Sequence, residues 1–370
     1  MSNNIKVIIS GGGTGGHIFP ALSIANSLRE TNSNVEILFV GAEGKMEMER
    51  VPAAGYPIKG LPVAGLKRSL SLSNLSLPLK IRKSIKMAGK ILDEFRPDVV
   101  VGVGGYASAP LLWSAQRRKI PTLIQEQNSY AGLTNKILGK KAKKICVAYE
   151  GMEKFFPADR IILTGNPIRK EISKPSAVNK EDGYIRFGLD PVKPIILIIG
   201  GSLGSKTLNE SVMQWADANG DPDSFQILWQ SGGYYRSEVN KYVVEHNFKN
   251  IVNLPFIERM DLAYAVADII ISRAGAGTIS ELCAIGKATI FVPSPNVAED
   301  HQTHNAMALV NKGAALMIKD SQAKERMIGS AIELLDNSEE MKKLSKNIVE
   351  LAKTNAGEVI AHEVLTLAKK

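Results

Sequence analysis

Residues 5–20 read IKVIISGGGTGGHIFP, and few chain paths accept such a stretch. Ile5–Ile9 is a β-branched apolar run, the pattern of a buried strand. Gly11, Gly12, Gly13, Gly15 and Gly16 then let the backbone turn sharply and come close to a ligand with no Cβ in the way. From Ile18 the apolar spacing becomes helical, with Leu22, Ile24, Ala25 and Leu28 on one face. A strand, a glycine turn and a helix N-terminus make an anion-binding corner, because backbone N–H groups and the helix dipole point at one spot. His17 stands in that corner, a side chain that titrates near neutrality.

The same plan recurs. PIILIIGGSLGS repeats it at Pro194–Ser205, and apolar runs alternate with helical patterns along the chain. Such alternation predicts an α/β fold with parallel sheets and crossover helices. Strands are expected near 5–9, 35–40, 98–103, 122–125, 144–148 and 161–164. After a polar, proline-bearing stretch at 170–183, read as a linker, strands resume near 195–199, 226–229, 251–254, 269–272, 289–292 and 315–318. With 370 residues, two domains are expected: 1–168, 169–350, and a final helix at 351–370 that packs back on the first. Two Rossmann-like domains of this kind would face each other across a cleft, a common ligand site.

Composition narrows the class. Hydrophobic residues make up 44% and charged residues 22%, as in a soluble globular protein. No signal peptide or membrane span is visible, which predicts a cytoplasmic location. Cys146 and Cys283 lie in apolar contexts and read as small buried hydrophobes. The net charge of +9 is uneven. No acid occurs between Val51 and Leu92, where Lys59, Lys67, Arg68, Lys80, Arg82, Lys83, Lys86 and Lys90 alternate with leucines. A second basic run holds Lys136, Lys140, Lys141, Lys143 and Lys144. Basic, leucine-rich and poor in aromatics suits an anionic membrane surface better than nucleic acid, which needs stacking platforms.

Several motifs could carry chemistry. Gly11, Gly13 and Gly16 satisfy the dinucleotide fingerprint, but the acidic residue it needs arrives late, at Glu43. GGSLGSKT at 200–207 falls short of a P-loop because Ser205 stands where glycine is required. A simpler use is phosphate contact by Ser202 and nearby amides. SRAGAGTISE (272–281) turns at Gly275 and Gly277 and starts a helix; Glu281 there suits vicinal sugar hydroxyls. Gln302 and Asn305 lie three apart on one helix face, and amides can donate to and accept from hydroxyls. Glu126 and Asn128 follow a strand, as does Tyr106 in GVGGY (102–106). His301 and His304 lack a converging acid, and Asp221-Pro222-Asp223 has the composition of a solvated turn, so no metal is expected. The charge of a diphosphate would then fall to helix N-termini and to Arg169.

Taken together, GGTGGHIFPAL, GVGGYAS, QEQNSYAGLTNK, GNPIR, GGSLGS, SRAGAGTISE and DHQTHNA resemble the MurG family in order and spacing. That family converts lipid I to lipid II with UDP-N-acetylglucosamine as donor. The resemblance implies the glycosyltransferase B fold, no cofactor, and work at the cytoplasmic face of the inner membrane as a peripheral protein. It implies donor contacts at Thr14, Gly15, Gly16, Asn128, Arg169, Ser202, Ile257, Ala276, Gly277, Thr278, Ile279, Ser280, Glu281 and Gln302, with Asn305, Tyr106 and Glu126 as further candidates. The loop VPSPNVAEDH before Gln302 departs from the family pattern. His17 is the expected general base, held neutral by the adjacent helix start. The alternative within the fold is a UDP-N-acetylglucosamine 2-epimerase, which would need no lipid-facing patch. A dinucleotide-dependent oxidoreductase and a non-enzymatic membrane sensor are more distant alternatives.

Overall fold

The computed structural model describes residues 4–63, 77–173, 178–201 and 203–369. The chain divides into two compact units, Met1–Ile168 with Thr354–Lys370, and Arg169–Lys353. In chain order the first holds β1 (Lys6–Ser10), α1 (Gly15–Thr31), β2 (Glu36–Ala42), α2 (Glu47–Ala53), β3 (Ile58–Leu61), α3 (Leu77–Phe95), β4 (Val99–Gly102), α4 (Ser108–Arg117), β5 (Thr122–Glu126), α5 (Leu133–Gly139), β6 (Lys144–Val147) and β7 (Ile161–Leu163). The second holds α6 (Lys170–Ser173), α7 (Lys180–Phe187), β8 (Ile195–Ile199), α8 (Lys206–Asn219), β9 (Gln226–Gln230), α9 (Arg236–His246), β10 (Ile251–Leu254), α10 (Met260–Val266), β11 (Ile269–Ser272), α11 (Ala276–Ile285), β12 (Ala288–Phe291), α12 (His301–Val310), β13 (Leu316–Met317), α13 (Ala323–Leu335) and α14 (Ser338–Glu350). A last helix, α15 (Ala356–Ala368), packs on α1 in the first unit.

Both sheets are parallel. The first runs β3-β2-β1-β4-β5-β6-β7 and the second β10-β9-β8-β11-β12-β13. Side chains of a strand alternate between faces, so β1 splits its residues between two cores. Val7 and Ile9 join Ile24, Leu28, Ile360 and Val364 of α1 and α15. Ile8 joins Leu92, Leu111 and Leu138 of α3, α4 and α5. Burial on both faces is why these strands read as unbroken apolar runs. In the second unit α8, α9 and α13 cover one face around Trp229.

Three stretches differ from the expectation. Residues 170–183, read as a linker, contain α6 and the start of α7. Asn179 caps α7 by accepting from Glu181 N, and Gly188 ends it in the left-handed conformation. Gly183 lies so close to Val266 and Leu262 of α10 that a Cβ would collide. The short edge strand β3 and the helix α2 were not expected either. Ile58-Lys59-Gly60-Leu61 buries only Leu61 fully and offers no apolar run to read.

In each sheet the order reverses once, between β1 and β4 and between β8 and β11. Open α/β sheets bind ligands at the carboxyl ends beside such a reversal. In the first unit the backbone there is tightly fitted. Gly105 has φ +83°, and a Cβ on it would overlap the Gly12 carbonyl. Gly105→Ala is therefore expected to cost roughly 3 kcal/mol or more, combining positive φ and overpacking. Gly13→Ala, with φ +87° and open space around the Cβ, should cost only about 1–2 kcal/mol. Urea unfolding of the two variants checks the contrast; equal losses would contradict it.

Candidate active site

The glycine turn after β1 and the start of α1 bring Thr14, Gly15, Gly16 and His17 together. Thr14 is the extended N-cap residue, and Gly15 and Gly16 open the helix, where amides lack helical acceptors. Thr14 Oγ1 lies 3.2 Å from His17 Nδ1. The His17 ring lies against Gly104, where a Cβ would come within 3.0 Å of Nε2. One loop amide is not available to a ligand. The Gly13 N–H donates to both carboxylate oxygens of Glu47, at 3.1 and 3.0 Å, and Ala42 N–H donates to Oε1 at 2.9 Å. Glu47 is 1% exposed. Gly12 and Gly41 leave the room it fills, since a Cβ on either would overlap its side chain. The corner is thus braced by the Glu47 carboxyl group from α2. The His17 and Ile18 amides donate to the Thr14 carbonyl, at 3.1 and 3.2 Å, so its anion-binding capacity rests on the amides of Thr14, Gly15 and Gly16.

Glu126 ends β5 and Asn128 lies in the loop that follows. Glu126 is fully buried and organises the loop. Its Oε1 accepts from Asn128 N (3.0 Å) and Nδ2 (3.3 Å), and its Oε2 from Gly132 N (3.0 Å) and Asn135 Nδ2 (2.9 Å). Burial raises its pKa while these hydrogen bonds act against the rise. With its oxygens committed to the loop, Glu126 is a scaffold that sets Asn128 in place. Tyr106 is exposed beside the Gly104-Gly105 turn.

The second unit gathers three turns at the carboxyl ends of β8, β11 and β12. Arg273 ties them. It donates to Ser205 Oγ (Nε 3.0 Å, Nη2 2.6 Å), to the Val292 and Pro293 carbonyls (2.9 and 3.2 Å), and to Asp320 (2.5 Å). Ser205 is also the N-cap of α8. Ala276, Gly277, Thr278, Ile279, Ser280 and Glu281 form the first six residues of α11. Asn305 is fully buried and donates to the Ala274 carbonyl (3.4 Å), and Gln302 Oε1 accepts from Ser294 N (2.9 Å). Ile257 follows β10 with its side chain buried. Ser202 lies outside the described residues.

Arg169 and Glu281 are joined. Arg169 Nε donates to Oε1 and Nη2 to Oε2, both at 2.7 Å, and Tyr264 donates to Oε2 at 3.1 Å. Burial works against the charge on Arg169, but Glu281 outweighs it and the pKa is raised. Asp221 accepts from the amides of Lys249 (2.9 Å) and Asn250 (3.0 Å), so it serves the turn before β10. Among the described residues no group of three or more His, Cys, Asp or Glu could hold a metal. Burial pushes the thiols of Cys146 and Cys283 up to about 12, which suits apolar packing. Glu47, Arg273 and Tyr264 were not singled out from the sequence. Only Arg273 had a local signal, lying inside the SRAGAG turn.

A family model described as the glycosyltransferase family 28 N-terminal domain matches residues 7–147, and one for the family 28 C-terminal domain matches 195–364. Two parallel-sheet units with glycine turns at their sheet reversals, matched in this way, define a glycosyltransferase of the two-Rossmann-domain class. The UDP-N-acetylglucosamine–N-acetylmuramyl-(pentapeptide) pyrophosphoryl-undecaprenol N-acetylglucosamine transferase of Phocaeicola vulgatus is 56% identical over 100% of this chain and 98% of its own. The protein of that name from Parabacteroides distasonis is 51% identical over 99% of each chain. The crystal structure of Acinetobacter baumannii MurG superposes with a TM-score of 0.77 at 30% identity, covering 98% of this chain and 99% of that one. The chain belongs to the MurG family. The UDP-GlcNAc 2-epimerase of Neisseria meningitidis also superposes (TM-score 0.65, 98% of this chain and 100% of that one), but at 17% identity this shows the shared fold alone.

Proposed function

We propose that this enzyme transfers N-acetylglucosamine from UDP-N-acetylglucosamine to the C4 hydroxyl of undecaprenyl-diphospho-N-acetylmuramyl-pentapeptide, lipid I, giving lipid II for peptidoglycan synthesis. The full-length identity of 56% to a transferase of that name carries the reading. The epimerase alternative has fold likeness alone in its favour.

In the second unit the donor is assigned to Arg169, Ser202, Ile257, Ala276 through Glu281, and Gln302. Turn amides and Arg169 meet the diphosphate charge without a metal or other cofactor, and stabilise UDP as it leaves. In the first unit the resemblance assigns donor contacts to Thr14, Gly15, Gly16 and Asn128, with Tyr106 as a further candidate; Asn305 is the further candidate in the second unit. Glu126 acts only through the loop it holds. The C4 oxygen attacks C1 of the sugar in one displacement. The C4–O–C1 bond forms, the C1–O bond to UDP breaks, and configuration at C1 inverts. His17 takes the hydroxyl proton. In the tautomer whose Nδ1–H donates to Thr14 Oγ1, 3.2 Å away, the basic lone pair is on Nε2. His17→Ala should retain donor binding by calorimetry while turnover falls ~10²–10⁴-fold. Turnover within tenfold of the unaltered enzyme would remove His17 from this role.

The acceptor is a lipid, and the first unit has a surface suited to meeting one. No helix among the described residues is long and apolar enough to cross a membrane. On α3, Leu79 and Ile81 are 72% and 47% exposed, among the exposed cations Lys80, Arg82, Lys83 and Lys86. On α5, Leu133 and Ile137 are 63% and 58% exposed, one helical turn apart and followed by exposed Lys140 and Lys141. The helix α4 packs against both α3 and α5. Exposed aliphatic groups among lysines suit peripheral binding to anionic lipid at the cytoplasmic face of the inner membrane. Of the basic stretch, Leu66, Lys67, Arg68, Leu70, Leu72 and Leu75 lie outside the described residues. Liposome flotation with the quadruple charge reversal Lys80→Glu, Arg82→Glu, Lys83→Glu and Lys86→Glu tests the reading. Each cation contributes about 1 kcal/mol near anionic headgroups, so binding should be lost; undiminished flotation would contradict it.

A further inference from the structure

The two partners of Glu281 differ in kind. The Arg169 side chain is 42% exposed, and its charge can be drawn to an anion. Tyr264 on α10 is 1% exposed and cannot leave. Burial and the neighbouring Glu281 carboxylate both raise its pKa, so the phenol keeps its proton and always donates. A carboxylate offers about four acceptor directions, and the three hydrogen bonds described above fill two at Oε2 and one at Oε1. The remaining direction is at Oε1, on the side away from Tyr264's bond.

We propose that Tyr264 is a positioning residue for the nucleotide-sugar donor: its buried hydroxyl holds the Glu281 carboxylate in the orientation that reads a ribose hydroxyl. The proposal rests on taking the vicinal sugar hydroxyls that Glu281 suits to be those of the ribose, and on the assignment of Arg169 to the diphosphate. When the diphosphate draws Arg169 away, both oxygens gain an open direction. The bond at 3.1 Å from Tyr264 then anchors the carboxylate. Arg169 guards the charge of Glu281 in the empty enzyme; Tyr264 fixes its orientation in the loaded one.

Calorimetry on the full chain with UDP, 2′-deoxy-UDP and 3′-deoxy-UDP tests this. Tyr264→Phe keeps the ring that fills the core and removes only the donor. It should lower the preference for UDP over at least one deoxy nucleotide by about fivefold or more, with deoxy binding little changed. Added to Glu281→Gln, it should lower that preference no further, because the two act as one unit. Arg169→Ala should weaken all three nucleotides yet keep the preference, which tests the idea even if Tyr264→Phe folds poorly. Equal weakening of all three nucleotides by Tyr264→Phe, or loss of the preference in Arg169→Ala, would overturn the proposal. If Glu281→Gln alone keeps the full preference, the ribose assignment falls and the proposal with it. If Glu281→Gln loses the preference and Tyr264→Phe keeps it, only the role of Tyr264 falls.

Discussion

Backbone meets backbone at the carboxyl ends of both sheets, and the rest of the molecule is arranged to permit it. In the first unit the turn after β1 lies on the turn after β4, with Gly12 against Gly105. In the second, the turn after β8 lies on the turn after β9, with Gly204 against Gly232. A Cβ at these contacts would push the turns apart. Glycine costs conformational entropy on folding, so such contacts persist only where flanking strands and helices hold them. The strands that do so, β1 and β8 among them, are rich in Val and Ile, and Val7–Ile9 and Ile195–Ile199 are buried on both faces.

Exposed amides at such turns invite anions, and the chain decides which amides stay open by placing its own charges beneath them. Glu47 takes the Gly13 amide, leaving the corner to the amides of Thr14, Gly15 and Gly16. Glu126 fixes the loop that presents Asn128. Arg273, paired with Asp320, pins the turns after β8, β11 and β12 to one another. Removing one partner of such a largely buried pair leaves a poorly compensated charge. These groups give preorganisation: the turns are set before a ligand arrives, so less ordering remains to be done on binding.

Much of this was legible in the sequence, and the rest was hidden for physical reasons. All twelve expected strands rest on apolar runs; nine are largely buried on both faces, and β7, β10 and β13 are only partly buried. The edge strand β3, half-buried and bearing Lys59 and Gly60, has no such run. Residues 170–183 looked like a linker because α7 is short and polar; its stability comes from the Asn179 cap and the fit of Gly183 against α10, neither of which is a periodic signal. The glycine turns were legible from glycine spacing after apolar runs. The side chains that brace them did not announce themselves, because their partners are distant in the chain. Arg169 lies 112 residues from Glu281, and Arg273 lies 68 from Ser205. Tyr264 reads as one more core aromatic until its hydroxyl is seen to reach Glu281.

The central claim is that these two units serve one acceptor-dependent group transfer. Incubation with labelled UDP-N-acetylglucosamine, with and without a lipid I analogue, measures it directly. The account predicts UDP and labelled disaccharide-lipid in equal amounts when the analogue is present, and neither in its absence. Release of a UDP-sugar isomer or of free sugar without acceptor would contradict it.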